Sequence, residues 1–507
     1  MKATFSITFI LLMHASFCQQ SRGIFNSSSD IGKPKIQGIT RYLEESQTYH
    51  LEGGGYNIWF NRDEFQFAHT KIKGDFILTA NARLLGDGFD PHRKIGWMIR
   101  GSLDEDAAHV SAVVHGDGLT ALQWRVLKGA FMRDPEDEVF APKKHYTILQ
   151  LERSGKTIIM RAAHDGEPLQ VIGTTDAVTL PDEVFAGLFI CSHNADKLEK
   201  GEAWNVRIDQ PVPENYNPDR QGYIGCRMEI INVFDGKRRV IHESKGRFEA
   251  PNWMPDGKRL LFNQDGLLFT IPVEGGELTK LNTGFADRNN NDHGISFDGK
   301  MLAISHHRAG FPGGGSTVYV LPVTGGTPKM VTEETPSYWH GWAPNNKEVV
   351  YVGQREGTGY DVYKKNINGG PEIRLTKTQG THVDGPEYSP DGKHIYYNGN
   401  QSGTMQLWRM KPDGSAKEQL TFDEYNDWFP HISPDGKWIV FISFPADIPV
   451  DSHPSFKRVM LRLMPVAGGA PKTIAYLYGG QGTINVPSWS PDSKHVAFVS
   501  NSRKFEE

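Results

Sequence analysis

The chain runs to 507 residues, too long for one hydrophobic core, so two or three domains are expected. Charged residues make up 23% and the formal net charge is -5; no basic surplus is present to neutralise phosphates, so nucleic acid is not the expected partner. Its 54 glycines supply positive φ and its 30 prolines remove backbone donors, a turn-rich composition that favours an all-β chain of short strands.

Residues 1–18 read as a cleaved secretory signal. Lys2 gives a positive start, Phe5 to Met13 an apolar run too short for an anchor, and Ala15 and Ser16 small residues before the expected cut. Export to the periplasm or beyond is expected, with lipid attachment at Cys18 disfavoured by the bulky Phe17. No later stretch approaches the roughly 20 apolar residues of a transmembrane segment. Removal of the signal leaves Cys191 and Cys226. Cys191 ends the apolar run from Phe185 and reads as a packed thiol; its pairing with Cys226 stays open.

From 37 to 210 the chain alternates apolar and polar residues at the period of half-buried strands, as in the segments starting at Gly74, Ile95, His109, Ala121, His145, Thr157 and Val184. Strands at this density with Gly/Asp turns predict a β-sandwich. The segments Gly74-Asp-Phe, Gly96-Trp-Met-Ile-Arg, Val113-Val-His-Gly-Asp-Gly and Ala186-Gly-Leu-Phe-Ile-Cys-Ser-His resemble the concanavalin A-like lectin/glucanase superfamily. That resemblance implies carbohydrate contact in an accessory module. The paired carboxylates of its glucanases are missing, which argues against glycoside hydrolysis here. Arg100, His109, His115 and His193 are candidates for a sugar groove; the simpler reading makes them polar strand tips satisfied by loops. Residues 211–221, punctuated by Pro211, Pro213 and Pro218, read as a linker.

From 222 to 507 an internal repeat takes over. Pro386-Glu-Tyr-Ser-Pro-Asp-Gly-Lys has ungapped counterparts starting at Pro251, His293, His340, Pro430 and Pro487, spaced by 42, 47, 46, 44 and 57 residues. Each copy places a tight turn before an apolar strand, and further strands and turns follow. One such sheet cannot bury both faces, so the units must stack radially as propeller blades. The last copy lacks room for its own outer strands, and Arg227–Asn232 with Arg238–His242 supply them. The expectation is therefore a β-sandwich followed by a six-bladed β-propeller closed by its own N-terminal strands. The Ser-Pro-Asp-Gly-Lys units resemble the TolB-like propeller family, a match specific for fold and poor for function.

Candidate site residues lie where inner strands start, at one mouth of the central channel. His293 and His340 replace the proline of other copies in neighbouring blades. His307 and Arg308 end the second strand of the His293 blade, which antiparallel pairing returns to the same mouth. His382, Asp384, Glu387, Asp427, Trp428, His431, Gln481 and Asn485 follow round the ring. Trp339, Trp428 and Tyr338 are candidates to stack on sugar rings. Two functions stay open. In the first, the mouth recognises a protein or glycan ligand. In the second, it is a metal-assisted carbohydrate-active lyase. There His293 and His340 hold a divalent transition metal, these two with His431 act as ligands or acid/base groups, Arg308 holds a substrate carboxylate and Asp384 orients a histidine. The second arrangement is similar to that of oligogalacturonate lyase, a propeller enzyme with channel histidines around a metal. A structural envelope scaffold without a small ligand is a third reading.

Overall fold

A computed structural model describes residues 22–311, 315–355, 359–378 and 380–502. The expected signal segment, 1–18, lies outside them. Apart from the one-turn helix Pro218–Gln221 in the linker region, the described regular structure is all β.

The first half is two antiparallel sheets of seven strands each. One sheet is ordered Ser27–Ile31, Phe65–Lys73, Glu183–Cys191, Lys94–Arg100, His109–His115, Thr120–Arg125, Glu138–Phe140. The other runs Gln170–Thr175, Thr157–Ala163, Ile148–Ser154, Phe76–Leu85, Glu199–Asp209, Thr48–Gly53, Ile39–Leu43. Alternate residues face inward, so Leu78, Ala80, Trp97, Ile99, Leu149 and Leu188 meet in one core between the sheets. Ser27–Ile31 pairs with Phe65–Lys73 and brings into this sandwich a strand that precedes residue 37.

The second half is a ring of six blades. Five have four strands in chain order from the channel outward, with inner strands Phe248–Trp253, Asn289–Ile295, Ser337–Trp342, Val383–Tyr388 and Asn426–Ile432 (blades one to five). In the sixth, His495–Asn501 pairs with Cys226–Asn232, which pairs with Arg238–Ser244, and a bridge from Trp489 to Val496 marks the inner position. The ring is thus closed by strands from its own N-terminal side.

The repeat motif is the turn that starts each second strand. In blades two, four, five and six, the Ser296, Ser389, Ser433 and Ser490 hydroxyls donate to the aspartates two residues on. Those aspartates accept from the following Lys300, Lys393, Lys437 and Lys494 amides. Between them the backbone turns left-handed, at φ 70° for Gly392 and 72° for Gly436. Asn346 and Ser493 take the same conformation without being glycine (φ 55° and 59°). Their side chains compensate by accepting from Asp298 and Asp435 amides of the preceding blade. Blades are further clipped by indole N–H groups: Trp342 donates to the Gly294 carbonyl (3.0 Å) and Trp489 to that of His431 (2.9 Å).

The sandwich is bonded to the propeller. Residue 166 bridges Thr473 in strand fashion. Arg207 pairs with Glu229 at 2.6 Å and Arg227 with Asp209 at 2.6 Å, all four nearly buried. Asn205 donates to the Gly236 carbonyl and accepts from the Arg238 amide. Cys191 and Cys226 are both buried free thiols, one in each half, so they do not pair.

Candidate functional site

Five inner strands share one irregularity. In each, the register against the second strand slips, between Glu249 and Asn252, Asn289 and His293, Trp339 and Gly341, Asp384 and Glu387, and Trp428 and His431. Such a bulge drops residues out of the ladder and re-aims their side chains. This explains the proline column: Pro251, Pro386 and Pro430 sit in the bulge, where no ladder N–H is required. It also separates the two histidines of that column. His340 lies inside its bulge and turns to the channel; His293 lies beyond its bulge, paired with Ile304.

The bulges open on a cavity of about 550 Å³. Its walls include six residues expected from sequence: His307, His340, His382, Asp384, Gln481 and Asn485, with Tyr338 beside them. At its centre Asp384 is surrounded by imidazoles. His340 Nε2 lies 2.9 Å from Oδ1, and His382 Nε2 and His453 Nε2 each lie 3.8 Å from Oδ2. Burial opposes the charge on Asp384, but His340 and His382 outweigh it and hold the carboxyl far below its ordinary range. Burial likewise opposes an imidazolium at His340, yet Asp384 and Asp292 prevail and raise its pKa. His453 is pushed the other way, chiefly by burial. Asp292, the second buried carboxylate of the cavity, accepts from the Asn290 amide at 2.8 Å. Burial, reinforced by Asp384, raises it to about 7 in spite of His340.

The amides of Asn263, Asn289, Asn290 and Asn291, the rings of Tyr360 and Phe429, and the Arg247–Glu249 ion pair (2.7 Å) complete the wall. Asn291 Nδ2 is buried and without a hydrogen-bond partner among the described residues. A donor of this kind facing a cavity is ready for an acceptor that arrives with a ligand.

The remaining candidates do not line the cavity. His293 is buried with Nδ1 2.7 Å from Asn252 Oδ1, and burial lowers its pKa to about 3. His431 is consumed between Glu387 Oε2 (2.6 Å) and the Ile484 carbonyl (2.7 Å), and Glu387 also accepts from the Ile432 amide. Both are clips between neighbouring blades. Asp427 holds Arg462 and the Ser443 hydroxyl within blade five. Arg308 donates to the Glu333 carbonyl and covers the Phe311 ring. Trp339 and Trp428, at 1% and 0% exposure, are core; no face is left for a sugar. The expected metal pair therefore does not converge: only His340 faces the cavity, and among the described residues no group of three or more His, Cys, Asp or Glu is arranged to hold a metal ion. In the sandwich, Arg100, His109 and His115 are buried, with Arg100 bonded to Asp63, while His193 lies 3.2 Å from Asp90; they form no open groove.

Sequence reasoning missed Asp292, Asn290, Asn291 and His453. Two signals pointed to them. Asn289-Asn-Asn-Asp is a wholly polar run in a strand that the repeat requires to be inner. The 57-residue final spacing marks extra chain in blade five, part of which, 445–456, brings His453 to Trp428 (4.4 Å) and the cavity.

A TolB beta propeller domain model matches residues 311–453. An uncharacterized protein of Agrobacterium fabrum is 47% identical over 279 residues, which are 55% of this chain and 93% of the relative. A solved TolB-type structure from Agrobacterium tumefaciens shares 46% identity with a TM-score of 0.52, over 56% of this chain and 99% of its own. The Tol-Pal system protein TolB of Francisella tularensis is 24% identical over 271 residues, 52% of this chain; the match spans 59% of that relative's length.

Proposed function

Starting from the TolB-type β-propeller family, to which the chain belongs, we propose that it is an exported binding protein whose propeller mouth recognises a protein or glycan ligand. The sandwich serves as an accessory module. One observation carries this reading: residues from around the ring, those of blades two, three and five re-aimed by a repeated bulge, converge on a single polar cavity with an unpartnered amide donor. A preformed concave site with a few placed polar groups is the usual form of a ligand pocket. No described helix is long and apolar enough to cross a membrane.

The test is thermal unfolding of the purified full chain against a panel of short peptides and oligosaccharides. A ligand at about 100 times its Kd stabilises by ~2.7 kcal/mol, a rise of a few degrees. A shift that disappears in Asn291→Ala and Asp384→Asn supports the mouth as the site; a shift that survives both removes it from the mouth.

A second reading rests on Asp292. A carboxyl held at about 7 beside the paired His340 is poised for general acid/base work on a bound glycan. Turnover of uronate-containing glycans, followed by absorbance of unsaturated products and lost in Asp292→Asn, would establish it; absence of products across the panel removes it.

A further inference from the structure

We propose that the cleft between sandwich and propeller is a second ligand site, separate from the mouth, that takes an uncharged sugar unit of a glycan. The cleft is a cavity of about 540 Å³, within the ~300–1,000 Å³ range of small-molecule sites, and domain seams are a favoured place for these. It is built and not left over. The 166–473 bridge, the Arg207–Glu229 pair and the Asn205 bonds tie its two walls together, so it exists without ligand.

Four aromatic rings line it, Trp204, Phe234, Trp438 and the half-buried Tyr476, and the first three form its apolar corner. Trp204 comes from the sandwich, Trp438 from blade five and Phe234 from the turn after Cys226–Asn232. Phe234 meets Trp438 edge-on at 6.0 Å and 74°, which makes a corner of two rings. Phe234 is 59% exposed, and both indoles are half-buried. Trp204 and Asn205 are consecutive, and strand alternation would send them to opposite faces. Both line the cleft because Glu199–Asp209 bulges there, with Asn205 left-handed at φ 54°. A bulge with a non-glycine residue in that conformation is backbone strain held at one spot, and here the spot is the cavity wall.

The polar groups decide the class of ligand. Asp165 and Asp235 line it as exposed carboxylates, and exposed Lys472 and buried Arg238 line it as cations. Each carboxylate has one oxygen engaged locally, by the Thr147 hydroxyl and the Lys237 amide. A purely apolar guest would desolvate these groups without replacement, and with Arg238 and Lys472 balancing the two carboxylates a guest of either net charge gains no net attraction. A pyranose ring offers C–H faces to the aromatic corner and hydroxyl donors to the carboxylates.

The experiment is calorimetric titration of the purified full chain with cello-, malto-, manno- and N-acetylchito-hexaose. Saturable binding of at least one is expected. It should weaken tenfold or more in Trp204→Ala and in Trp438→Ala, and severalfold in Phe234→Ala, whose exposed ring is not needed for folding. It should be unchanged in Asp384→Asn at the mouth. Four titrations without heat to 10 mM sugar overturn the proposal. So does binding indifferent to all three aromatic variants, or binding lost in Asp384→Asn alone, which would move the sugar to the mouth.

Discussion

Asp384→Asn keeps the shape of the mouth and removes the charge 2.9 Å from His340 Nε2. In the native protein His340 has a raised pKa and Asp384 a depressed one. A raised histidine contributes stability that is fully present below its unfolded pKa of ~6.5 and is lost as pH rises through the folded value. A depressed aspartate contributes above ~3.9 and loses that contribution as pH falls through its folded value. Between pH 6.5 and 5, therefore, neither group gives the wild type a slope. In the variant the balance at His340 reverses. Burial, the largest influence on the ring, then favours the neutral form, while the unfolded chain still takes up a proton near 6.5. The unfolded state binds more protons, so the variant loses ~1.4 kcal/mol for each pH unit below that value. His453 faces the same carboxylate, and Asp292 loses a like charge; their changes widen the gap in the same direction. Urea unfolding at pH 7.5, 6.5, 5.5 and 5.0 should show wild type and variant diverging by ~2 kcal/mol or more from pH 6.5 to 5. A gap that stays constant over that range refutes the assignment of His340 as a buried imidazolium.

Gly294→Ala places a Cβ against the Trp339 indole, which is core, and should cost ~1–3 kcal/mol in chemical unfolding with no change in blade number. Glu229→Gln breaks the buried seam pair with Arg207. Glu229 sits near 2, because burial is outweighed by Arg207 and Arg238. Its contribution is thus present at neutral pH and lost as pH falls from ~4.3 toward 2, and the variant's penalty should shrink over that window in acid unfolding. Cys191 and Cys226, whose thiols burial pushes up to about 11 and about 12, should resist alkylation at pH 8 until the fold opens, as peptide mass mapping would reveal. Trp489→Phe strands the His431 carbonyl and should lower stability by ~1–3 kcal/mol, read from urea midpoints.

The blade count was legible because the turn chemistry is local: Ser, Asp, Gly and Lys bond within five residues, so each copy repeats the same letters. The closing of the ring followed from counting strands at both ends. Site residues were only half legible, for a physical reason. His293 and His340 occupy one repeat column, and their side chains diverge because a bulge falls before one and on the other. Register slips of this kind depend on contacts with the neighbouring strand and leave no fixed pattern of letters. Trp339 and Trp428 failed as sugar platforms for a related reason: a wedge-shaped sheet needs bulk between blades, and large rings provide it.

Ring closure by Cys226–Asn232 and Arg238–Ser244 also sets a timetable for synthesis. Their partner, His495–Asn501, emerges about 250 residues after them, an interval of roughly 12–50 s at ribosomal speeds. Meanwhile the sandwich is already complete, and through Arg207, Asp209 and Asn205 it offers these two early strands a dock. The edge that waits longest thus has polar partners on the sandwich before its own blade is complete. Chains stalled before residue 495 should show hydrogen-exchange protection across 226–244 only while those docking side chains are intact.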